Sequence, residues 1–295
     1  MRRMSTVGET TGSFEHAGHS LAYTVYGEGP RVCVLAHGLL LNRRMQSRLA
    51  RTLAERGNRV VTIDLLGHGG SDRPRDMWKY SMSRFGVEIV ALLDHLGVDE
   101  AVVGGTSLGA NATLEVASSA PDRLRGMLLE MPVLDNALPA CALTFTPMIF
   151  AFTFGEPVMN LVARGARLVP HRLVPFAADL LLDTLRQDPG PSAALLQGVF
   201  FGRTAPHREE RRTFTAPALI IGHHRDPVHP FSDAGMLAEE MPNARLIEAN
   251  SIAELRIAPE RLTTEIAAFV DDCWRPRPAA RRRRRAARGS RRAAS

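Results

Sequence analysis

One short stretch, from Ala101 to Ala110, constrains the fold of this chain more than any other. It reads AVVGGTSLGA, and its Gly105, Ser107 and Gly109 form a G-x-S-x-G pattern. A β-branched run precedes the pattern and a helical run follows it, which predicts a serine on a tight turn between a strand and a helix. Such a turn has room only for hydrogen two residues before and two residues after the serine, which explains both glycines.

Apolar runs and helical patterns alternate on both sides of this unit. Two strands are predicted within 13–29, and further strands are predicted at 31–38, 59–64, 101–103, 124–131, 218–222 and 244–248. Continuous apolar strands separated by helices are typical of a parallel sheet that is buried on both faces, with right-handed crossovers.

This alternation stops between residues 135 and 212. The segment is rich in Phe, Met, Leu and Pro, and it predicts a set of short helices that form a lid over the edge of the sheet. Its most apolar part, 141–154, contains Pro147 and is too short to span a bilayer. We therefore expect that part to line the lid or to form its core.

Residues 13–134 and 213–274 are predicted to form the core of one large α/β domain. The N-terminus, 1–12, is expected to be flexible, and the tail at 275–295 is expected to be disordered. Ten arginines and no acidic residue lie in the tail, so the remainder of a chain with net charge +6 carries −4. The tail could bind anions weakly, but the fold shows no dedicated nucleic-acid site.

Several classes of protein are disfavoured by composition. The three cysteines are odd in number and unevenly spaced, which indicates reduced thiols in the cytoplasm. No uninterrupted apolar run reaches about 18 residues, so no membrane span is predicted. Neither metal-ligand spacing nor the glycine fingerprint of a dinucleotide site is present, so no cofactor and no metal are expected. A monomer and a homodimer both remain open.

Four features, in order along the chain, carry a family resemblance. They are His37-Gly38 after a buried strand, the loop from Asp64 to Ser71, the G-x-S-x-G at Ser107, and Gly222 to Asp226 with Pro230 beyond. Together they resemble the α/β-hydrolase fold family, in its branch of lid-bearing esterases, haloperoxidase-like enzymes and carbon–carbon bond hydrolases. The resemblance implies a mostly parallel eight-stranded sheet with helices on both faces and a helical lid inserted after the sixth strand.

The resemblance also implies roles for particular residues. Ser107 is expected to be the nucleophile, and the backbone N–H groups of Leu39 and Leu108 are expected to form the oxyanion hole. Asp226 stands where the family usually places its acid, and Glu130, at the strand end where some relatives keep theirs, is the alternative. The family's histidine would follow the strand at 244–248, but Ile252 occupies that place.

No histidine follows His229 in the chain, so the sequence does not identify the general base. His229, close to Asp226, is the best placed histidine, with His224 and His37 behind it. A carboxylate is the second possibility, either Glu130 at the end of a strand or Glu254 in the loop that lacks the histidine. The third is that the protein performs no efficient serine chemistry.

The sequence therefore leaves two candidate functions for the protein. The first is an enzyme of the ester-hydrolase class (EC 3.1), acting through Ser107 on a small lipophilic ester, lactone or thioester, since an apolar lid suits a lipophilic substrate. The alternative is a degenerate hydrolase that binds a lipophilic small molecule without efficient turnover.

Overall fold

Eight strands form one sheet in the computed structural model of the chain, which describes residues 7–276. The strands are β1 (Glu9–His16), β2 (His19–Tyr26), β3 (Arg31–Ala36), β4 (Asn58–Ile63), β5 (Ala101–Thr106), β6 (Leu124–Glu130), β7 (Ala218–Gly222) and β8 (Ala244–Glu248). Their order across the sheet is β1-β2-β4-β3-β5-β6-β7-β8. β2 pairs antiparallel with β1 and β4, and the other neighbouring strands are parallel.

Helices cover both faces of the sheet. They are α1 (Ser47–Glu55), α2 (Met82–His95), α3 (Leu108–Ser119), α4 (Leu138–Phe154), α5 (Glu156–Arg167), α6 (Phe176–Leu185), α7 (Pro189–Phe201), α8 (Arg208–Arg211), α9 (Phe231–Glu240), α10 (Glu254–Ile257) and α11 (Glu260–Cys273). α2, α3 and α9 pack on one face, and α1 and α11 pack on the other. The predicted fold class is confirmed.

The strands are continuously apolar because helices cover the sheet on both faces. Val34 and Ala36 of β3 belong to the core beneath α2 and α3, whereas Cys33 and Leu35 belong to the core beneath α1 and α11. Successive side chains of a strand point to opposite faces. A strand that is covered on both faces must therefore be apolar at every position.

The N-terminal part of the chain is more regular than its sequence indicates. β1 begins at Glu9, within the segment 1–12 that was expected to be flexible, because Glu9–Gly12 pairs with Tyr23–Tyr26 of β2. Backbone pairing stabilises these four residues although most of their side chains are exposed. The remainder of the predicted flexible N-terminus, residues 1–6, and most of the predicted disordered tail, 277–295, lie outside the described residues.

Residues 135–212, here called the insert, follow β6 and contain α4 to α8. Its most apolar part, which was expected to line the lid or to form its core, lies in α4. Phe152 is the one buried side chain of this helix, and Phe145, Met148 and Ile149 are partly buried against the core of the domain. With the 3-10 turn before it, this helix runs from Asp135 to Phe154 and is long and apolar enough to cross a membrane. It packs against α5 and α7 along its side.

Candidate active site

Ser107 lies at the turn between β5 and α3 with φ +53° and ψ −109°. A positive φ is strained for a serine, so the surroundings must hold it there. A Cβ atom on Gly109 would lie 2.6 Å from the Ala36 carbonyl oxygen, and one on Gly105 would also overlap that oxygen. The close approach of β3 to the turn is therefore possible only because both positions are glycine.

The loop between β7 and α9 brings a histidine and a carboxylate to this serine. His229 Nε2 lies 2.9 Å from Ser107 Oγ, and His229 Nδ1 lies 2.9 Å from Asp226 Oδ2. Asp226 Oδ1 accepts the backbone N–H groups of Val228 and His229, each at 2.9 Å. The carboxylate is thus fixed by its own loop while its second oxygen faces the imidazole.

The charge on Asp226 follows from these contacts. Burial opposes its ionisation, but the hydrogen bond and charge of His229 and the two backbone N–H groups outweigh burial, so the pKa of Asp226 is lowered. An ionised Asp226 accepts the Nδ1 proton of His229, which leaves Nε2 free to accept the Ser107 hydroxyl proton. This is the arrangement that serine activation requires.

Of the two predicted oxyanion-hole residues, Leu108 directly follows Ser107 in the chain. The Leu108 N–H is the first of α3, and the first N–H groups of a helix have no intrahelical acceptor. Leu39 lies in the loop after β3, where His37 is fully buried and accepts the Leu65 N–H at Nε2 (3.1 Å). His37 Nδ1 therefore carries the proton and donates to the Gly38 carbonyl oxygen at 2.9 Å.

His37 remains neutral because burial lowers its pKa, despite the opposing effect of Asp64. Its two hydrogen bonds therefore support the loop that contains Leu39. It makes no contact with Ser107 Oγ among the described residues.

The insert holds the same loop from the opposite side. Leu40 has φ +60°, and its carbonyl oxygen accepts hydrogen bonds from the Gln187 amide and from Thr184 Oγ1 (3.3 Å). Gln187 is buried. Sequence reasoning did not identify Gln187 or Thr184, because no local pattern links them to a loop more than 140 residues away.

Glu130, considered as a general base, lies in a different network. Its two carboxylate oxygens accept Nη1 and Nη2 of Arg256, each at 2.7 Å, and Thr106 Oγ1 donates to one of them. Both charged side chains are buried. Both oxygens of the Glu130 carboxylate are therefore engaged by a bidentate guanidinium and not by Ser107. We therefore describe Glu130 and Arg256 as a buried ion pair at the end of β6.

The place expected for the family's histidine contains no group that reaches Ser107. Ile252 is 49% exposed. Glu254 binds Arg261 and the backbone of Asn250, and its pKa is lowered because these contacts outweigh burial. The sequence analysis did not predict the pairing of Arg256 with Glu130, because an isolated arginine in a sequence does not reveal which carboxylate it will contact.

One group of side chains has the composition of a metal site. The ligand atoms of His171, Asp179 and Asp183 lie within 4.8 Å of one another. Arg44 and Arg186 already donate to both carboxylates, and with His171 they lower the pKa of Asp179 although burial opposes this. Two guanidinium groups supply the positive charge here, so the cluster joins the insert to the core and does not fit a metal ion.

Comparisons with known proteins agree with the fold. The α/β-hydrolase fold family matches residues 32–249. Rv2715, an uncharacterised protein of Mycobacterium tuberculosis, is 31% identical over 288 residues, covering 86% of this chain and 79% of the relative. The 2-hydroxymuconate semialdehyde hydrolase of Pseudomonas putida is 30% identical over 196 residues, covering 64% of this chain and 67% of the relative.

Among solved structures, the enol-lactonase from Burkholderia xenovorans LB400 has a TM-score of 0.72 with this chain. It is 19% identical, and the alignment covers 88% of this chain and 100% of the lactonase. At this identity the likeness concerns the fold alone.

Proposed function

The chain belongs to the α/β-hydrolase family, and from that premise we propose that it is a serine hydrolase in which Ser107, His229 and Asp226 form the catalytic triad. One observation carries the proposal. The Ser107 hydroxyl, the His229 imidazole and the Asp226 carboxylate form a continuous hydrogen-bonded chain with two distances of 2.9 Å. The family's usual histidine is thereby replaced by one that lies three residues after the acid.

In the proposed reaction, Ser107 Oγ attacks the carbonyl carbon of the substrate while its proton passes to His229 Nε2. Asp226 stabilises the imidazolium that forms, and the N–H groups of Leu39 and Leu108 stabilise the oxyanion. The imidazolium then donates its proton to the departing oxygen or sulfur, which leaves an acyl ester on Ser107. Water, deprotonated by His229, attacks that ester and releases the acid and the free serine.

We infer that the substrate is a lipophilic ester, lactone or thioester. The inner side of the insert presents Phe145, Met148 and Met159 to the core that contains Leu40 and Leu108. A pocket between such side chains would favour an apolar acyl or leaving group. The named relatives include a hydrolase and, at the level of fold, a lactonase, which agrees with hydrolysis of an acyl compound.

The insert also lies close to the proposed triad, as a lid would. Partial burial, together with the carboxylates of Asp233 and Asp226, raises the pKa of the Cys141 thiol on α4 to about 11. The N–H groups of Leu134 and Ala137 donate to Asp233 on α9, at 2.7 and 3.1 Å. The start of the insert is thus attached to the helix that follows the catalytic loop.

Labelling with a fluorophosphonate probe tests the proposal without knowledge of the substrate. We expect wild-type protein to react covalently at Ser107, and Ser107→Ala to lose both labelling and hydrolysis of p-nitrophenyl esters. Ser232→Ala is the matched control, because Ser232 is exposed and lies close to the same loop. A folded wild-type protein that stays unlabelled and still binds a lipophilic fluorophore would support the degenerate hydrolase instead.

A further inference from the structure

The insert carries most of the large apolar side chains that are exposed in the described residues. Of the eighteen large apolar side chains that are exposed in the described residues, fourteen belong to the insert. Six of them define what we call the apolar face: Leu143, Phe150 and Phe154 of α4, Val158 and Leu161 of α5, and Leu168 beyond it. Soluble monomers rarely expose large contiguous apolar patches without a partner.

Positive charge accompanies the apolar face. α4 contains no charged residue, and the chain that follows carries Arg164, Arg167 and Arg172, all exposed. Within residues 7–276 none of these three arginines forms an ion pair, whereas Glu156 is paired with Arg75 at 2.9 Å. Arg167 does donate to the Arg186 carbonyl oxygen at 2.8 Å, but it has no acidic partner. An apolar helix beside arginines that lack an acidic partner is typical of segments that lie in the interface of a membrane.

We propose that the apolar face is a docking surface for an anionic lipid bilayer. α4 packs along its side against α5 and α7, so it lies on the bilayer rather than crossing it. Trp78 is 76% exposed, and its short helical turn packs against α7. Tryptophan is enriched at the level of the lipid headgroups, so Trp78 serves as an anchor at one edge of the surface.

The charges distinguish a lipid surface from a second copy of the chain. In a two-fold symmetric dimer through the apolar face the same patch meets itself, so Arg164, Arg167 and Arg172 would face a surface that carries the same three positive charges. No acidic side chain within α4 or α5 offsets them except Glu156, which is already paired. Like charges across an interface are unfavourable, whereas anionic headgroups would complement them.

Flotation with lipid vesicles tests the proposal on the full chain. We expect binding to phosphatidylcholine vesicles that contain phosphatidylglycerol, and weaker binding without the anionic lipid or at high salt. The double variant Leu143→Glu and Phe154→Glu should reduce the partition coefficient at least tenfold, since each buried apolar side chain contributes about tenfold or more. The matched control Val87→Glu changes an exposed residue of α2 and should bind like wild type.

Two further measurements make the outcome decisive. In a Trp274→Phe background, the fluorescence of Trp78 should shift to shorter wavelength on binding and be quenched by brominated lipid. A shortened variant that ends at Pro276 lacks the arginine tail, so its binding to vesicles measures the contribution of the apolar face alone. If the double variant binds as well as wild type and the shortened chain does not bind, the tail is responsible and the proposal is wrong. It is also wrong if the double substitution abolishes a dimer in solution and leaves vesicle binding unchanged.

Discussion

The substitution Asp226→Asn tests the proposed triad at the hydrogen bond between Asp226 and His229 Nδ1. Asp226 Oδ1 is held by the backbone N–H groups of Val228 and His229, so the amide oxygen of an asparagine would keep that place. Its NH2 group would then face His229 Nδ1. Because two donors cannot share a hydrogen bond, the imidazole must carry its proton on Nε2 and can no longer accept the Ser107 proton.

The expected loss of activity is that of an enzyme whose catalytic histidine, His229, keeps its position but has its proton on the wrong ring nitrogen. We expect kcat for p-nitrophenyl butyrate to fall by about 10⁴-fold, equivalent to about 5.5 kcal/mol of transition-state stabilisation. KM should change little, because the carboxylate does not contact the ester. Circular dichroism and thermal unfolding should show that the variant remains folded.

The control is Asp99→Asn, which makes the same change in charge at an exposed position away from the triad. It should retain wild-type kcat. A loss of less than tenfold for Asp226→Asn, in folded protein, would refute the role assigned to Asp226. Equal losses in both variants would mean that net charge, and not the triad, controls the rate.

Other substitutions separate the chemistry from its supports. His229→Ala should lower kcat about 10²–10⁴-fold, and adding Ile252→His should restore less than tenfold, because Ile252 is half exposed; full recovery in esterase assays would contradict this. Arg256→Ala should cost about 3–5 kcal/mol in urea unfolding, since it leaves a buried carboxylate unpaired; an unchanged midpoint would be inconsistent with that ion pair. Gln187→Ala should lower kcat several-fold without a matching rise in KM, as expected for one lost neutral hydrogen bond; a change confined to KM would count against a role in positioning Leu40. Burial raises the pKa of Glu88 to about 8, whereas an unfolded glutamate has a pKa of about 4.3, so the folded protein loses stability as the pH rises from about 4.3 to 8. Glu88→Gln should therefore raise Tm at pH 9 but not at pH 4; equal shifts at both pH values would argue against this.

The fold was predictable from sequence because its signals are local. A continuous apolar strand such as Arg31–Ala36 and the strand–turn–helix around Ser107 are determined by residues that are neighbours in the chain. The candidate site was predictable only where position in a family pattern fixed the residue, as for Asp226. His229 was named among several possible bases, because sequence alone does not show which imidazole reaches a serine 122 residues away.

The contacts that sequence reasoning missed are those between distant segments. Gln187 lies on the insert and Leu40 on the oxyanion loop, and only the packed structure brings them together. Arg256 and Glu130 are 126 residues apart. The exposure of much of α4 was not predicted, since apolar composition indicates that a helix needs an apolar environment but not whether protein or lipid provides it.

Asp226 and His229 lie in one four-residue segment, which contains Pro227 and is followed by Pro230. Two prolines restrict the backbone of this segment, so thermal motion moves the acid and the imidazole together and preserves their mutual distance. The sensitive distance is then the one to Ser107. In a hydrolase with its histidine after β8, the last part of the chain affects every turnover. In the proposed triad the chain after β8 supplies no catalytic group, so we expect substitutions there to change how long a molecule stays folded rather than how fast a folded molecule works.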